Sequence, residues 1–288
     1  MAVTAFDATE LGWIDPIVDR VLEEDLARGD VTSRAVVPPV ANARARLVAK
    51  APCVVAGLPV FARVFERIDS QVRVEARVED GTAVDAGTEL AVVFGRARSI
   101  LAGERSALNL LGRASGVATA TRTFVEAAGG MVVADTRKTM PGLRALDRYA
   151  VRVGGGRNHR DDLGAAVLIK ENHARIAGGV AAAVRAAKAC VGHMTKVSCE
   201  VTNLDEVRAA LEAGAEVLLL DNMTDDDVAE AVRIVAGRAV VEASGGLAPE
   251  RLARLAAAGV NVASVGAITH SAPAADLSLL FDPPGDGP

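Results

Sequence analysis

Six short apolar runs recur through the second half of the chain, at 131–134, 165–169, 197–199, 217–220, 239–241 and 260–263. Each is continuously apolar and not alternating, which predicts parallel strands buried on both faces. Between them lie Ala-rich stretches at helical spacing, 176–189, 204–213, 226–236 and 249–258. The last opens on Pro249 and stops at Gly259, as a helix should. Strand-helix units repeated every ~20 to 35 residues imply a parallel sheet, either doubly wound or closed into a barrel.

Each apolar run gives way to polar residues. The runs lead into Asp135-Thr136-Arg137-Lys138, Lys170-Glu171-Asn172, Glu200, Asp221-Asn222, Glu242 with Ser244-Gly245-Gly246, and Ser264 with Gly266. In a βα barrel the C-terminal strand ends converge on one mouth, so this pattern favours a barrel, here a partial one of six strands. The first 115 residues read differently. Segments 43–49 and 71–78 alternate at period two, the pattern of half-exposed strands. Helices are predicted at 21–27, 57–67 and 98–112, with turns at Asp80-Gly81 and Ala86-Gly87. The expected architecture is α/β: an N-terminal α/β sandwich domain over 1–115 and an incomplete, about six-stranded α/β barrel over 116–271. The tail 272–288 is expected to pack on the first domain, with 282–288 frayed.

Composition narrows the function classes. No apolar run in the 288 residues approaches the length of a membrane span, and the acidic N-terminal segment lacks the basic region of a secretory signal. Cys53, Cys190 and Cys199 have no CxxC spacing, which argues for a reducing compartment and against a zinc site. A net charge of -5 with 3% aromatics argues against a nucleic-acid groove. A cytoplasmic enzyme with no membrane or nucleic-acid partner is expected.

Against that acidic background, Arg137, Lys138, His159, Arg160 and Lys170 gather five cationic or potentially cationic groups at strand ends. Only five of the 32 basic residues are lysine, and two of those five lie in this cluster. Arginine forks hold carboxylates by paired hydrogen bonds, so the cluster suits a small polycarboxylate. Ser244-Gly245-Gly246 and Val265-Gly266-Ala267 come after the last two strands, where barrels often hold a phosphate. Glu200 and Asp221 end neighbouring strands. They could share Mg²⁺ with substrate oxygens, hydrogen-bond a sugar, cap the next helices, or balance Lys138 and Lys170; the pattern leaves these open.

Longer motifs carry a resemblance. Asp135-Thr136-Arg137-Lys138-Thr139 with Pro141-Gly142-Leu143-Arg144, Gly154-Gly155-Gly156 with Asn158-His159-Arg160, and Leu168-Ile169-Lys170-Glu171-Asn172-His173 resemble the quinolinate phosphoribosyltransferases. Glu104-Arg105-Ser106-Ala107-Leu108-Asn109, Leu219-Leu220-Asp221-Asn222, Glu242-Ala243-Ser244-Gly245-Gly246 and Val265-Gly266-Ala267-Ile268-Thr269-His270 extend it. The resemblance implies transfer of phosphoribosyl from phosphoribosyl pyrophosphate to quinolinate with Mg²⁺, releasing pyrophosphate and CO₂. It implies that Arg137, Arg160 and Lys170 hold the two carboxylates with His159 beside them. It also implies a homodimer or larger assembly in which Arg105 reaches the partner's pocket. Lys138 and Thr136 would face the pyrophosphate, Glu200 and Asp221 the ribose and Mg²⁺, and Ser244, Gly245, Gly246, Val265, Gly266 and Ala267 the 5′-phosphate. Lys138, Lys170, Glu200 and Asp221 would be the catalytic groups. The family usually carries an acid where this chain has Ser198, and Asp near Ala165. A paralogue acting on a modified pyridine carboxylate, or a non-catalytic binder of phosphorylated ligands, would share much of this pattern.

Overall fold

The computed structural model describes residues 8–283 and divides into two compact units. The first comprises Met1–Ala120, Thr139–Gly155 and His270–Pro288, and the second Thr121–Lys138 and Gly156–Thr269. No helix among the described residues is long and apolar enough to cross a membrane.

In the first unit, β1 (Asn42–Ala49), β3 (Arg73–Ala76), β5 (Glu89–Arg96) and β12 (Leu277–Phe281) form an antiparallel sheet in the order β12-β1-β5-β3. A separate pair joins β2 (Cys53–Val54) to β4 (Ala83–Val84). The alternation predicted for β1 holds in its first half, where Ala45 is buried between half-exposed Arg44 and Arg46; Leu47, Val48 and Ala49 are then all buried. The helix Leu58–Ile68 presses Phe61 and Phe65 into the core, ring edge to ring face at 5.1 Å. Its start is held by a residue distant in sequence. Asp80 accepts the Gly57 N–H at 2.6 Å, the Leu58 N–H at 3.1 Å and the Tyr149 hydroxyl at 2.7 Å. Burial pushes the Asp80 carboxyl above its usual range, against these hydrogen bonds.

Several boundaries differ from the sequence reading. The first helix spans Ala8–Leu26, not 21–27, and carries Pro16 inside it. The predicted helix 98–112 extends over Ala97–Ala127, since no proline interrupts it and Gly112 and Gly116 remain helical. The stretch 176–189 is two helices, Glu171–Ile176 and Val180–Cys190. Gly178 and Gly179 separate them with φ of 86° and 116°, values closed to a continuing right-handed helix. Asp282 was expected to fray. Instead its N–H donates to the Arg44 carbonyl at 3.0 Å and its carboxylate pairs with Arg44 and Arg46, so β12 ends anchored to β1. Positions 284–288 of that expectation lie outside the described residues.

The second unit contains β6 (Val132–Ala134), β7 (Val167–Ile169), β8 (Val197–Val201), β9 (Val217–Asp221), β10 (Val240–Ser244) and β11 (Val262–Ser264). All six are parallel, in the order β6-β11-β10-β9-β8-β7. That order runs round a ring: β6 pairs with β11, and successive strands continue until β7. A doubly wound sheet would instead reverse at a central switch point. The barrel therefore has one unpaired seam, between β6 and β7. On the β6 side Arg157 bridges the strand, donating to the Val133 carbonyl at 2.8 Å and accepting from the Asp135 N–H at 3.0 Å.

Candidate active site

Register decides which strand-end residues face together, because residues side by side in parallel strands point the same way. Glu200 lies beside Leu219, Leu219 beside Glu242, and Glu242 beside Val262. Two residues further along, Asp221 lies beside Ser244 and Ser264 beside Ala134. Glu200, Asp221, Glu242, Ser244 and Ser264 thus share one face over the last two levels of the barrel. Below them that face is apolar apart from Ser198, whose buried Oγ has no hydrogen-bond partner.

Lys170 comes directly after β7, and its ammonium lies 2.5 Å from Glu200 Oε2. The other Glu200 oxygen accepts the Glu171 N–H at 3.3 Å. Of the roles open to Glu200 from sequence, charge balance with Lys170 is realised. Capping of the next helices is excluded. Asn203 caps Leu204–Glu212 and Thr224 caps Asp225–Val235, each accepting a backbone N–H through its side chain. Asp221 is left half-buried at the mouth, with Oδ2 accepting from Asn222 Nδ2 at 2.9 Å.

Arg137 lies on the loop after β6 and Arg160 on the segment between the helix Arg144–Val153 and β7. Asp135, fully buried, accepts Asn158 Nδ2 at 2.8 Å and the His159 N–H at 2.6 Å, and so fixes the segment that presents Arg160. Arg160 Nη1 donates to the Ala166 carbonyl at 2.9 Å. Burial, and then the positive charge of Arg137, push the Arg160 guanidinium below its ordinary pKa. Arg137 Nε is buried with no hydrogen-bond partner. Two guanidiniums are therefore held within reach of each other's charge, one of them with an unused donor.

Lys138 is exposed, its N–H donates to Thr136 Oγ1 at 3.1 Å, and its carbonyl accepts Thr269 Oγ1 at 2.9 Å. Gly245 and Gly246 have φ of 90° and 55°. A Cβ on Gly245 would overlap the Asn222 side chain, so the turn after β10 admits only glycine there. The Val265 N–H donates to the Ala134 carbonyl at 2.9 Å, Gly266 O accepts from Thr269, and Ala267 begins the short helix Ala267–His270. Arg105 belongs to the first unit, exposed on the helix Ala97–Ala127.

The His159 ring is occupied by the protein. Nδ1 accepts the Arg160 N–H at 2.7 Å and Nε2 lies 3.4 Å from Glu242 Oε1. Sequence reasoning passed over Asp135, Asn158, Glu242 and Ser264 as functional residues. A signal for Glu242 was present: an acid inside an otherwise apolar run needs buried partners. Burial pushes the Cys199 thiol up to about 12, which argues against a nucleophilic role for it.

The fold is an incomplete α/β barrel whose second unit holds Arg137, Arg160, Lys170, Glu200 and Asp221 together with the glycine turn after β10. Residues 30–115 match the quinolinate phosphoribosyl transferase N-terminal domain and residues 117–280 the C-terminal domain of the same enzymes. The chain belongs to the quinolinate phosphoribosyltransferase family. It is 41% identical over 270 residues to the nicotinate-nucleotide pyrophosphorylase [carboxylating] of Mycobacterium leprae, covering 91% of this chain and 95% of that one. It is 37% identical over 258 residues to the probable enzyme of the same name from Bacillus subtilis, covering 89% of each. Among solved structures it resembles NadC from Streptococcus pyogenes, with TM-score 0.91 and 36% identity over 96% of this chain and 98% of that one.

Proposed function

We propose that this chain transfers the phosphoribosyl group of phosphoribosyl pyrophosphate to the ring nitrogen of quinolinate. CO₂ and pyrophosphate leave and nicotinate mononucleotide forms. The observation that carries this reading is the Arg137–Arg160 pair. Two like charges, one with a buried unpartnered donor, are stable together when an anion completes them. The names of the relatives supply the identity of that anion's class. Arg137 and Arg160 hold the carboxylates, and Lys170 exchanges part of its pairing with Glu200 for the ligand. Ser244, Gly245, Gly246, Val265, Gly266 and Ala267 take the 5′-phosphate, with Thr136 and Lys138 toward the pyrophosphate.

The pyridine nitrogen attacks the anomeric carbon as the bond to pyrophosphate breaks. Glu200 and Asp221 stabilise the positive charge that develops on the sugar, and the Lys138 ammonium meets the departing negative charge. Holding both substrates in one pocket removes much of the entropic barrier. The charge of the new ring N⁺ then stabilises the electron pair left on the neighbouring carbon when its carboxylate departs as CO₂, and that carbon takes up a proton. No group of three or more His, Cys, Asp or Glu among the described residues forms a metal site. Two hard carboxylates, Glu200 and Asp221, fit a Mg²⁺ held chiefly by substrate oxygens and water. When bound, the ion would neutralise charge on the pyrophosphate. Incubating the protein with quinolinate, phosphoribosyl pyrophosphate and Mg²⁺ should yield CO₂ and nicotinate mononucleotide. No product with quinolinate, together with turnover of another acid, would overturn the reading.

The same reading makes the active form at least a homodimer, cytoplasmic, with Arg105 completing the partner's site. Support comes from Arg105 being exposed on the helix Ala97–Ala127. Arg105→Ala and Lys138→Ala proteins, each inactive alone, should regain activity on mixing and re-equilibration. At equal amounts about one site in four becomes intact, if dimers exchange randomly. No recovery in verified mixed dimers would count against a shared site.

A further inference from the structure

We propose that Glu242, anchored by Ser264, is a positioning residue that fixes the tautomer and orientation of His159 and, through it, the Arg160 half of the carboxylate clamp. The inference rests on the reaction proposed for this site. Glu242 is 4% exposed, on the face of β10 that carries the site. A carboxylate buried so deeply is stable only with partners. One is the Ser264 hydroxyl, on the neighbouring strand, which donates to Oε1. The other is His159 Nε2, 3.4 Å from the same oxygen.

His159 is held at three points. Its N–H donates to Asp135 Oδ1 at 2.6 Å, and its Nδ1 accepts the Arg160 N–H at 2.7 Å. An Nδ1 that accepts carries no proton, so the neutral ring bears its proton on Nε2, facing Glu242. Acid and tautomer therefore support each other. The ring acts as a strut, with one nitrogen against the barrel interior and the other against the backbone of the ligand-holding arginine. Arg160 is restrained at its other end through Nη1 and Ala166, which fixes the direction of its remaining donors. Ser264, Glu242, His159 and Arg160 thus run in series from β11 through β10 to the loop. None of Ser264, Glu242 or the two ring nitrogens needs to touch the substrate.

Glu242→Leu keeps most of the bulk but removes the oxygen that both Ser264 and Nε2 face. The Nε2 proton then loses its acceptor, and the ring can move its proton to Nδ1 and lose the Arg160 N–H. The chain has only four histidines, so long-range ¹H–¹⁵N spectra can track this one directly. The Nε2–H form is expected in the wild type, and the Nδ1–H form or a mixture in the variant. KM for quinolinate should rise about 10- to 100-fold, with KM for phosphoribosyl pyrophosphate within about twofold of wild type. Ser264→Ala, which leaves the acid in place, should shift KM for quinolinate in the same direction by a smaller factor. It keeps the idea testable if Glu242→Leu folds poorly. An unchanged His159 tautomer, or equal changes in both KM values, would overturn the positioning role. A wild-type protein that makes no product from quinolinate would instead remove the reaction and leave the tautomer result to be judged alone.

Discussion

Replacing Arg137 by alanine is expected to lower kcat/KM for quinolinate by about 10²- to 10⁴-fold while leaving thermal stability unchanged or slightly higher. The activity loss comes from two charge-assisted hydrogen bonds to a carboxylate, each contributing about 1.5–3 kcal/mol. The stability sign comes from the unliganded site. Arg137 Nε is buried without a partner, and the Arg137 charge depresses the pKa of Arg160. Alanine removes the unpaired donor and the like-charge repulsion, and gives up some packing of the arginine stem. Sites built for charged ligands commonly trade stability for function in this way. Arg137→Lys should recover only part of the activity, because an ammonium keeps the charge but not the fork. Steady-state kinetics with a thermal melt on the same samples checks both halves. A variant that melts early yet turns over normally would make Arg137 structural and remove the clamp.

Gly116→Ala is expected to be the most damaging single methyl in the first unit. In an ordinary helix this change would add about 1 kcal/mol of stability, since alanine is the better helix former. Here a Cβ would overlap the carbonyl oxygen of Pro273 and come within 2.9 Å of its carbonyl carbon. One turn earlier, Gly112 accepts the Ala275 N–H at 2.8 Å through its carbonyl, so segment 273–275 lies against a glycine groove on the helix. The neighbour is backbone and cannot rotate away. Overpacking of this kind costs about 1–3 kcal/mol or more, which outweighs the helix gain. Each kcal/mol lost should lower Tm by about 2–4 °C in a domain of 150–250 residues. Gly192→Ala, whose Cβ would meet nothing within 4 Å, provides the control and should barely move Tm. Equal melting of the two variants would mean that the 273–275 segment does not pack as described.

Arg137, Lys138 and Lys170 were legible because they follow apolar runs, and the strands that make those runs end where predicted to within a few residues; His159 and Arg160 instead follow the helix Arg144–Val153 and a glycine segment. The glycine turns were legible for a similar reason: Gly245 and Gly246 adopt φ values that other residues avoid. The supports of the site were not. Asp135 read as the start of a motif and Glu242 as one more strand end, since a carboxylate buried against distant donors looks the same in sequence as one facing solvent. The arrangement of chain between β6 and β7 was equally hidden. Segment Thr139–Gly155 belongs to the first unit, where buried Asp147 takes both Nε and Nη2 of Arg113 at 2.8 Å. Local pattern carries no trace of that pairing across 34 residues.

The sequence by itself determined the kinds of groups in the site and their order along a repeating strand-helix chain. Those depend on residue chemistry and on hydrophobic period, both of which are local. The tertiary structure alone decided that Glu200 rests on Lys170 and that His159 Nε2 faces Glu242. Each of these depends on which strands become neighbours and in which register. That is set by how the whole apolar surface is buried, and no short stretch of sequence contains it.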